Sequence, residues 1–281
     1  MKTSWRSLLL AGLLLSFGCV DGASARTAAK TSHAHPPGTA IASAHKLATD
    51  AGFEIIAKGG NAFDAAVAVS AALSVVEPVS SGLGGGGMFL LHDAKTGKDV
   101  FVDAREMSPA SATPDKFLDA KGNLDPEKSQ NGPWSAGIPG LPAALVHVSQ
   151  KYGRLPLKVS LQPAIRLARE GFPMYGRLVR AYAERRDVMT RYPGTRATFE
   201  PNGMPLKEGE LLKQPDLAHT LQLLADKGFD GFYKGDVAQK ILKAIDDNGG
   251  HWTAQELAAY RVKERAPITL DWHGWHIVTA P

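Results

Sequence analysis

The sequence predicts an α/β chain of the α+β type, a layered sandwich of helices and strands. Three observations carry this. The chain has 281 residues, 44% of them hydrophobic and 21% charged, enough apolar material for a sizeable core and too much for a disordered segment. Two stretches, residues 88–102 and 268–279, read as paired short strands joined by polar turns. Helical spacing fills much of the rest without the strict strand–helix alternation of a parallel doubly wound sheet.

The first segment reads as an address. Lys2 and Arg6 precede an apolar run, 8–15, too short to span a bilayer, and Ala23-Ser24-Ala25 supplies a small-x-small cleavage signal. Residues 1–25 are therefore expected to be a secretory signal peptide cleaved after Ala25, placing the mature chain in the periplasm or outside the cell. Cys19 raises a lipoprotein alternative, disfavoured by Ser16 where a large apolar residue is expected. Cys19 is the single cysteine, so no internal disulfide and no Cys-rich zinc site is available. Residues 26–40 read as a flexible leader, and its His33-Ala34-His35 as a solvated tail, not a metal site. The remainder, 41–281, is expected to form the folded portion.

Helical spacing begins near His45 and runs to Lys58, where Gly59-Gly60 stops it. Asn61 then caps a second helix over 62–76, with Asp64 placed to answer the cap. This helix is Ala- and Val-rich around its circumference and is expected to be buried on all sides. Pro78 ends it. After Gly84-Gly85-Gly86-Gly87, residues 88–92 and 100–102 form a hairpin through Asp93-Ala94-Lys95-Thr96-Gly97. Residues 108–142, punctuated by Pro and Gly, read as a long surface loop. Helices are expected at 142–152, 161–170, 215–227 and 236–247. Thr253 and Glu256 make a capping box for a short helix through Ala259, and 268–279 forms a hairpin about His273-Gly274.

Several functions are excluded at the level of residues. A net charge of +4, spread along the chain, is a poor nucleic-acid footprint. Gly82-Leu83-Gly84-Gly85-Gly86-Gly87 spells a dinucleotide fingerprint, but a helix precedes it and strands follow, the reverse of what a pyrophosphate site needs. The run therefore marks either close backbone approach or a site that side chains would obstruct. Pro133-Trp134-Ser135-Ala136-Gly137 lacks the first glycine of a serine-hydrolase elbow, and the nine histidines make no His-Glu-x-x-His helix. Arg177, Arg180, Arg185, Arg186, Arg191 and Arg196 are interrupted by Glu184 and Asp187 and read as a solvated helix face. Asp103-Ala104-Arg105-Glu106 follows the second hairpin strand, and a guanidinium there has the planar fork to hold a carboxylate.

The blocks Gly59-Gly60-Asn61-Ala62-Phe63-Asp64-Ala65-Ala66, Gly82 through Gly87, and Arg105-Glu106-Met107-Ser108-Pro109-Ala110 closely resemble the γ-glutamyltransferases, or glutathione hydrolases. So do Gly137-Ile138-Pro139-Gly140, Tyr152-Gly153, Phe232-Tyr233-Lys234-Gly235 and Leu257-Ala258-Ala259-Tyr260, in the family's order. The resemblance implies an N-terminal-nucleophile hydrolase with an αββα sandwich, made as a precursor that cuts itself into two subunits. It implies γ-glutamyl transfer from glutathione to water, an amino acid or a peptide through a covalent acyl-enzyme, with neither metal nor organic cofactor. Arg105 matches the arginine that binds the α-carboxylate of the γ-glutamyl group, and the glycine run becomes a packed loop beside it.

The resemblance covers most of the large subunit only. It implies that the threonine nucleophile lies beyond Pro281, on a small subunit that partners this chain. No catalytic residue is therefore named here, and residues 41–281 are expected to be a C-terminally truncated large-subunit portion whose sandwich is incomplete alone. The alternatives are an inactive remnant that at most binds a partner or ligand, or a member acting on poly-γ-glutamate or a β-lactam side-chain amide.

Overall fold

The computed structural model describes residues 38–281. The signal segment, Cys19, His33 and His35 lie outside the described residues, as does most of the leader. The described helices and strands belong to one compact unit, Ile41–Pro281.

Helix α1 (Lys46–Ala57) starts on His45, whose Nδ1 accepts the Leu47 N–H, and α2 (Ala62–Val76) starts on the expected reciprocal box of Asn61 and Asp64. Only Ala62 on α2 is exposed, so the all-round apolar reading holds: the helix is sandwiched among neighbours. Asp64 is itself fully buried. Its carboxylate accepts the N–H groups of Asn61, Arg154 and Leu155, joining the start of α2 to the turn after Tyr152.

Strands β1 (Gly87–Asp93) and β2 (Lys98–Ala104) pair antiparallel from Gly87↔Ala104 to Asp93↔Lys98. Their Leu91, Val102 and Ala104 side chains are buried. The segment 108–142 is not a plain loop. It carries 3₁₀ turns at Pro114–Phe117 and Pro133–Ser135 and a short helix α3 (Pro126–Gln130) begun by Asp125. Each starts at a proline, whose fixed φ suits a first helical turn.

Helix α4 (Leu141–Tyr152) follows, then α5 (Leu157–Glu170). The latter begins earlier than the spacing suggests and places Pro163 in its interior. Losing one N–H there is outweighed by burial of Ser160, Leu161, Ala164, Ile165 and Ala168. The two-residue strand β3 (Phe172–Pro173) leads into α6 (Gly176–Met189) and α7 (Pro193–Phe199), and β4 (Leu211–Leu212) pairs back on β3. Helices α8 (Pro215–Lys227), α9 (Asp230–Tyr233), α10 (Gly235–Asp247) and α11 (Ala254–Ala259) complete the helical layer.

Strand β5 (Lys263–Arg265) adds to the free edge of β2, giving a sheet ordered β1-β2-β5. Sequence patterning misses it because all three residues are charged and exposed. Strands β6 (Ile268–Trp272) and β7 (Trp275–Thr279) form the expected hairpin. His273 and Gly274 both have positive φ, 48° and 81°, as a two-residue type I′ turn requires. The mixed helix–strand architecture is thus as predicted.

Candidate functional site

Arg105 is the first residue past β2, beyond the last ladder pair. Its N–H donates to Asp103 Oδ1 at 3.0 Å, and its carbonyl accepts from the Tyr260 hydroxyl at 2.9 Å. Its side chain is 73% exposed and touches the Glu106 carboxylate through Nε at 3.2 Å. That contact engages Nε, and most of the side chain stays open to solvent.

Glu106 joins this arginine to the glycine run. Its Oε1 accepts the Gly86 N–H at 2.7 Å while Oε2 faces Arg105. The two readings of the run divide between its members. A Cβ on Gly86 would stand 2.7 Å from Glu106 Oε2 and 2.8 Å from the Ala104 carbonyl oxygen, and one on Gly87 would stand 2.9 Å from Leu141. These two are glycine because of close approach. Gly82 and Gly84 have open space where a Cβ would be. Gly85 turns its carbonyl to the Gly140 and Leu141 N–H groups, both at 2.9 Å, and so holds the start of α4.

Past Glu106, Met107 pairs with Ile138 through reciprocal backbone bonds of 3.1 and 2.8 Å. A cleft of about 470 Å³ opens between these segments. Gly84, Arg105, Ser108, Phe117, Trp134 and Ser135 are among its lining. It offers a guanidinium fork on one wall and aromatic surface on another, with the Lys116 ammonium 5.8 Å from the Trp134 ring centre. The Ser135 hydroxyl donates to the Gly132 carbonyl at 2.8 Å. Among the described residues it makes no hydrogen bond to a histidine or carboxylate. Nor is any group of three or more His, Cys, Asp or Glu side chains placed to hold a metal ion among them.

The loop bearing Phe117 and Trp134 is tied down from outside. The Ala110 N–H donates to Glu256 at 2.7 Å, Arg185 reaches Asn131, and Arg191 pairs with Glu127. The arginine-rich stretch is accordingly more than a solvated face. Arg186 bonds Glu200 at 2.6 Å and Arg196 lies 3.8 Å from its other oxygen, around a carboxylate side chain only 1% exposed. The Arg186 bond, set against burial, holds Glu200 below the usual carboxylate range. Burial, with Glu200 as acceptor, pushes the Tyr182 phenol up to about 12.

Sequence reasoning found Arg105 and the glycine run but missed Glu106 and Tyr260 as their supports. The adjacency of Arg105 and Glu106 was visible. The turn of the Glu106 carboxylate back onto Gly86 was not.

Residues 48–281 match the family model described as Gamma-glutamyltranspeptidase. A Bacillus subtilis (strain 168) glutathione hydrolase proenzyme is 41% identical over 243 residues, covering 86% of this chain and 41% of the relative. An Escherichia coli (strain K12) glutathione hydrolase proenzyme is 40% identical over 280 residues, covering 95% and 48% respectively. The crystal structure of Helicobacter pylori gamma-glutamyltranspeptidase superposes with a TM-score of 0.83 at 37% identity, over 88% of this chain and 72% of that one. The chain thus spans about half the length of the curated relatives it matches.

Proposed function

The chain belongs to the gamma-glutamyltranspeptidase family, and from that premise we propose that it carries the donor-recognising part of an enzyme for γ-glutamyl transfer and hydrolysis. The observation that carries this reading is the exposed Arg105 fork opening on the cleft beside a closely packed glycine loop. A γ-glutamyl group ends in a free α-carboxylate, and two terminal guanidinium nitrogens match its two oxygens in one plane. Glutathione is the proposed donor, and water, an amino acid or a peptide the acceptor.

The chemistry needs a nucleophile, which this proposal places outside the half of the relatives' length that the chain spans. In the proposed scheme a threonine outside the spanned half attacks the γ-carbonyl, and its own α-amine takes the hydroxyl proton. The tetrahedral intermediate collapses to an acyl-enzyme as that proton passes to the departing amine. The acceptor then reverses the sequence. The threonine becomes N-terminal by cleavage of a precursor, which fits the proenzyme names of the relatives, and the resulting small subunit is the proposed partner. Export follows from the signal segment, with Arg26 as the mature N-terminus and the periplasm or exterior as the location; N-terminal sequencing checks it.

The test of donor recognition is Arg105→Lys in the complete processed enzyme. Lysine keeps the charge and loses the fork, a difference of about 2 kcal/mol for a bidentate charged pair, so donor KM should rise about thirtyfold. An unchanged donor KM removes Arg105 from the site.

A further inference from the structure

Arg105 lies past the end of the β1–β2 ladder, whose last pair is Gly87↔Ala104, so strand pairing does not fix its peptide planes. Two side chains do. Asp103 Oδ1 accepts its N–H and the Tyr260 hydroxyl donates to its carbonyl. The second contact comes from the residue that ends α11, far along the chain, and its donor is rigidly held. Tyr260 is 1% exposed. Its ring stacks on Tyr233 at 5.6 Å and 9°, and Tyr233 stacks on Phe229 at 4.2 Å and 12°. The Tyr233 hydroxyl donates to the Pro139 carbonyl at 2.6 Å, tying the same stack to the turn before α4.

Room for the Tyr260 hydroxyl depends on a glycine. A Cβ on Gly140 would stand 2.4 Å from that oxygen and 2.0 Å from the Ala104 carbonyl oxygen. Burial first, then the Asp103 and Glu106 charges, pushes the phenol up to about 12, so at ordinary pH it is the neutral donor. The guanidinium it governs is long and mostly exposed, with Glu106 its side-chain partner. Rotation of the peptide plane after Arg105 would redirect that side chain.

We infer that Tyr260 is a positioning residue for donor recognition: its buried hydroxyl fixes the Arg105 carbonyl and thereby aims the Arg105 guanidinium at the substrate carboxylate. The inference rests on the proposed role of Arg105 as the carboxylate site. It goes beyond that role by making recognition depend on a second side chain that touches no substrate.

The experiment is a two-residue cycle in the complete processed enzyme, reading donor KM and kcat separately for wild type, Tyr260→Phe, Arg105→Lys and the double variant. Phenylalanine keeps the aromatic stack and removes only the donor. Tyr260→Phe should raise donor KM about tenfold, equivalent to about 1.4 kcal/mol of lost donor binding, with kcat within about twofold. In the Arg105→Lys background the same change should alter KM less than twofold, because the fork it aims is gone. An equal KM effect in both backgrounds, or an unchanged KM in Tyr260→Phe, overturns the inference while leaving Arg105 in place. An unchanged KM in Arg105→Lys overturns the functional reading and the inference with it, a distinct signature. Should Tyr260→Phe not accumulate folded, Asp103→Ala frees the same residue from its N–H side and must give the same split between KM and kcat. Its failure to do so overturns the inference equally.

Discussion

Two glycines of one run should answer alanine in opposite ways. At Gly86 a methyl group meets Glu106 Oε2 at 2.7 Å and the Ala104 carbonyl oxygen at 2.8 Å, both inside van der Waals contact. Glu106 cannot swing aside freely, because its other oxygen holds the Gly86 N–H at 2.7 Å. Overpacking of this kind costs about 1–3 kcal/mol. Loosening a charge-assisted bond adds about 1.5–3 if it is lost outright. The lower entropy of an alanine-bearing unfolded chain returns about 0.4–1. Partial relaxation leaves a net destabilisation of about 2–4 kcal/mol. Gly84 has no atom within 4 Å of a Cβ and no positive φ, so Gly84→Ala keeps only the entropic gain. With the Gly84→Ala gain added, the separation between the variants is about 4 kcal/mol, or more than about 1 M in urea midpoint for a slope near 2–3 kcal/mol/M. Urea unfolding followed by tryptophan fluorescence measures it. Midpoints within about 0.2 M of each other would refute the assignment of Gly86 to close packing and Gly84 to open space.

Asp64→Ala leaves the buried N–H groups of Asn61, Arg154 and Leu155 without their acceptor and should cost about 3–5 kcal/mol by the same urea assay. Glu264 is raised by burial but drawn down further by Lys151, Tyr152 and His147, to about 2 from 4.5. A depressed folded-state pKa gives stability that is complete above pH 4.5 and lost as pH falls through about 2. Glu264→Gln should therefore flatten the acid limb of a stability–pH curve between those values, and an unaltered limb would remove the cluster from acid sensitivity. Residues 26–281 alone should release no product from a γ-glutamyl anilide, since Arg26, the proposed mature N-terminus, offers no nucleophile. Turnover that survives repurification away from host enzymes would contradict this.

The parts of the fold that were legible in sequence are those whose signals are local. Asn61 and Asp64 announce α2 by reciprocal capping, Pro78 closes it, and His273-Gly274 supplies the paired positive φ of a hairpin turn. The parts that were not legible draw their stability from distant residues. Strand β5 has no apolar alternation. It forms because β2 presents a free edge, because Arg265 meets Asp103 at 2.8 Å, and because Glu264 reaches Lys151, Tyr152 and His147 on α4. Helix α5 likewise starts at Leu157, ahead of the residues 161–170 that the spacing picks out. Burial of Ser160 and Leu161 beside Ala164, Ile165 and Ala168 holds its first turns to the core.

The site follows the same division. Arg105 could be named from its motif, but its supports come from four separated blocks: the glycine run, Asp103 through Glu106, the turn at Pro139-Gly140, and the Tyr260 end of α11. These are blocks on which the resemblance rested, and the structure gives a physical reason. The glycine run and Gly140 contribute glycines that neighbouring blocks approach too closely to tolerate a side chain, while Asp103, Glu106 and Tyr260 contribute the side chains that bond the backbone there. Gly140 has a negative φ of −110°, open to residues with a side chain, yet the Ala104 carbonyl oxygen would lie 2.0 Å from an added Cβ. Its identity is dictated by a strand far earlier in sequence and by the hydroxyl that strand's end receives. The close contacts at Gly86 and Gly140 therefore make one local packing problem out of blocks scattered along the chain, with Arg105 at its edge.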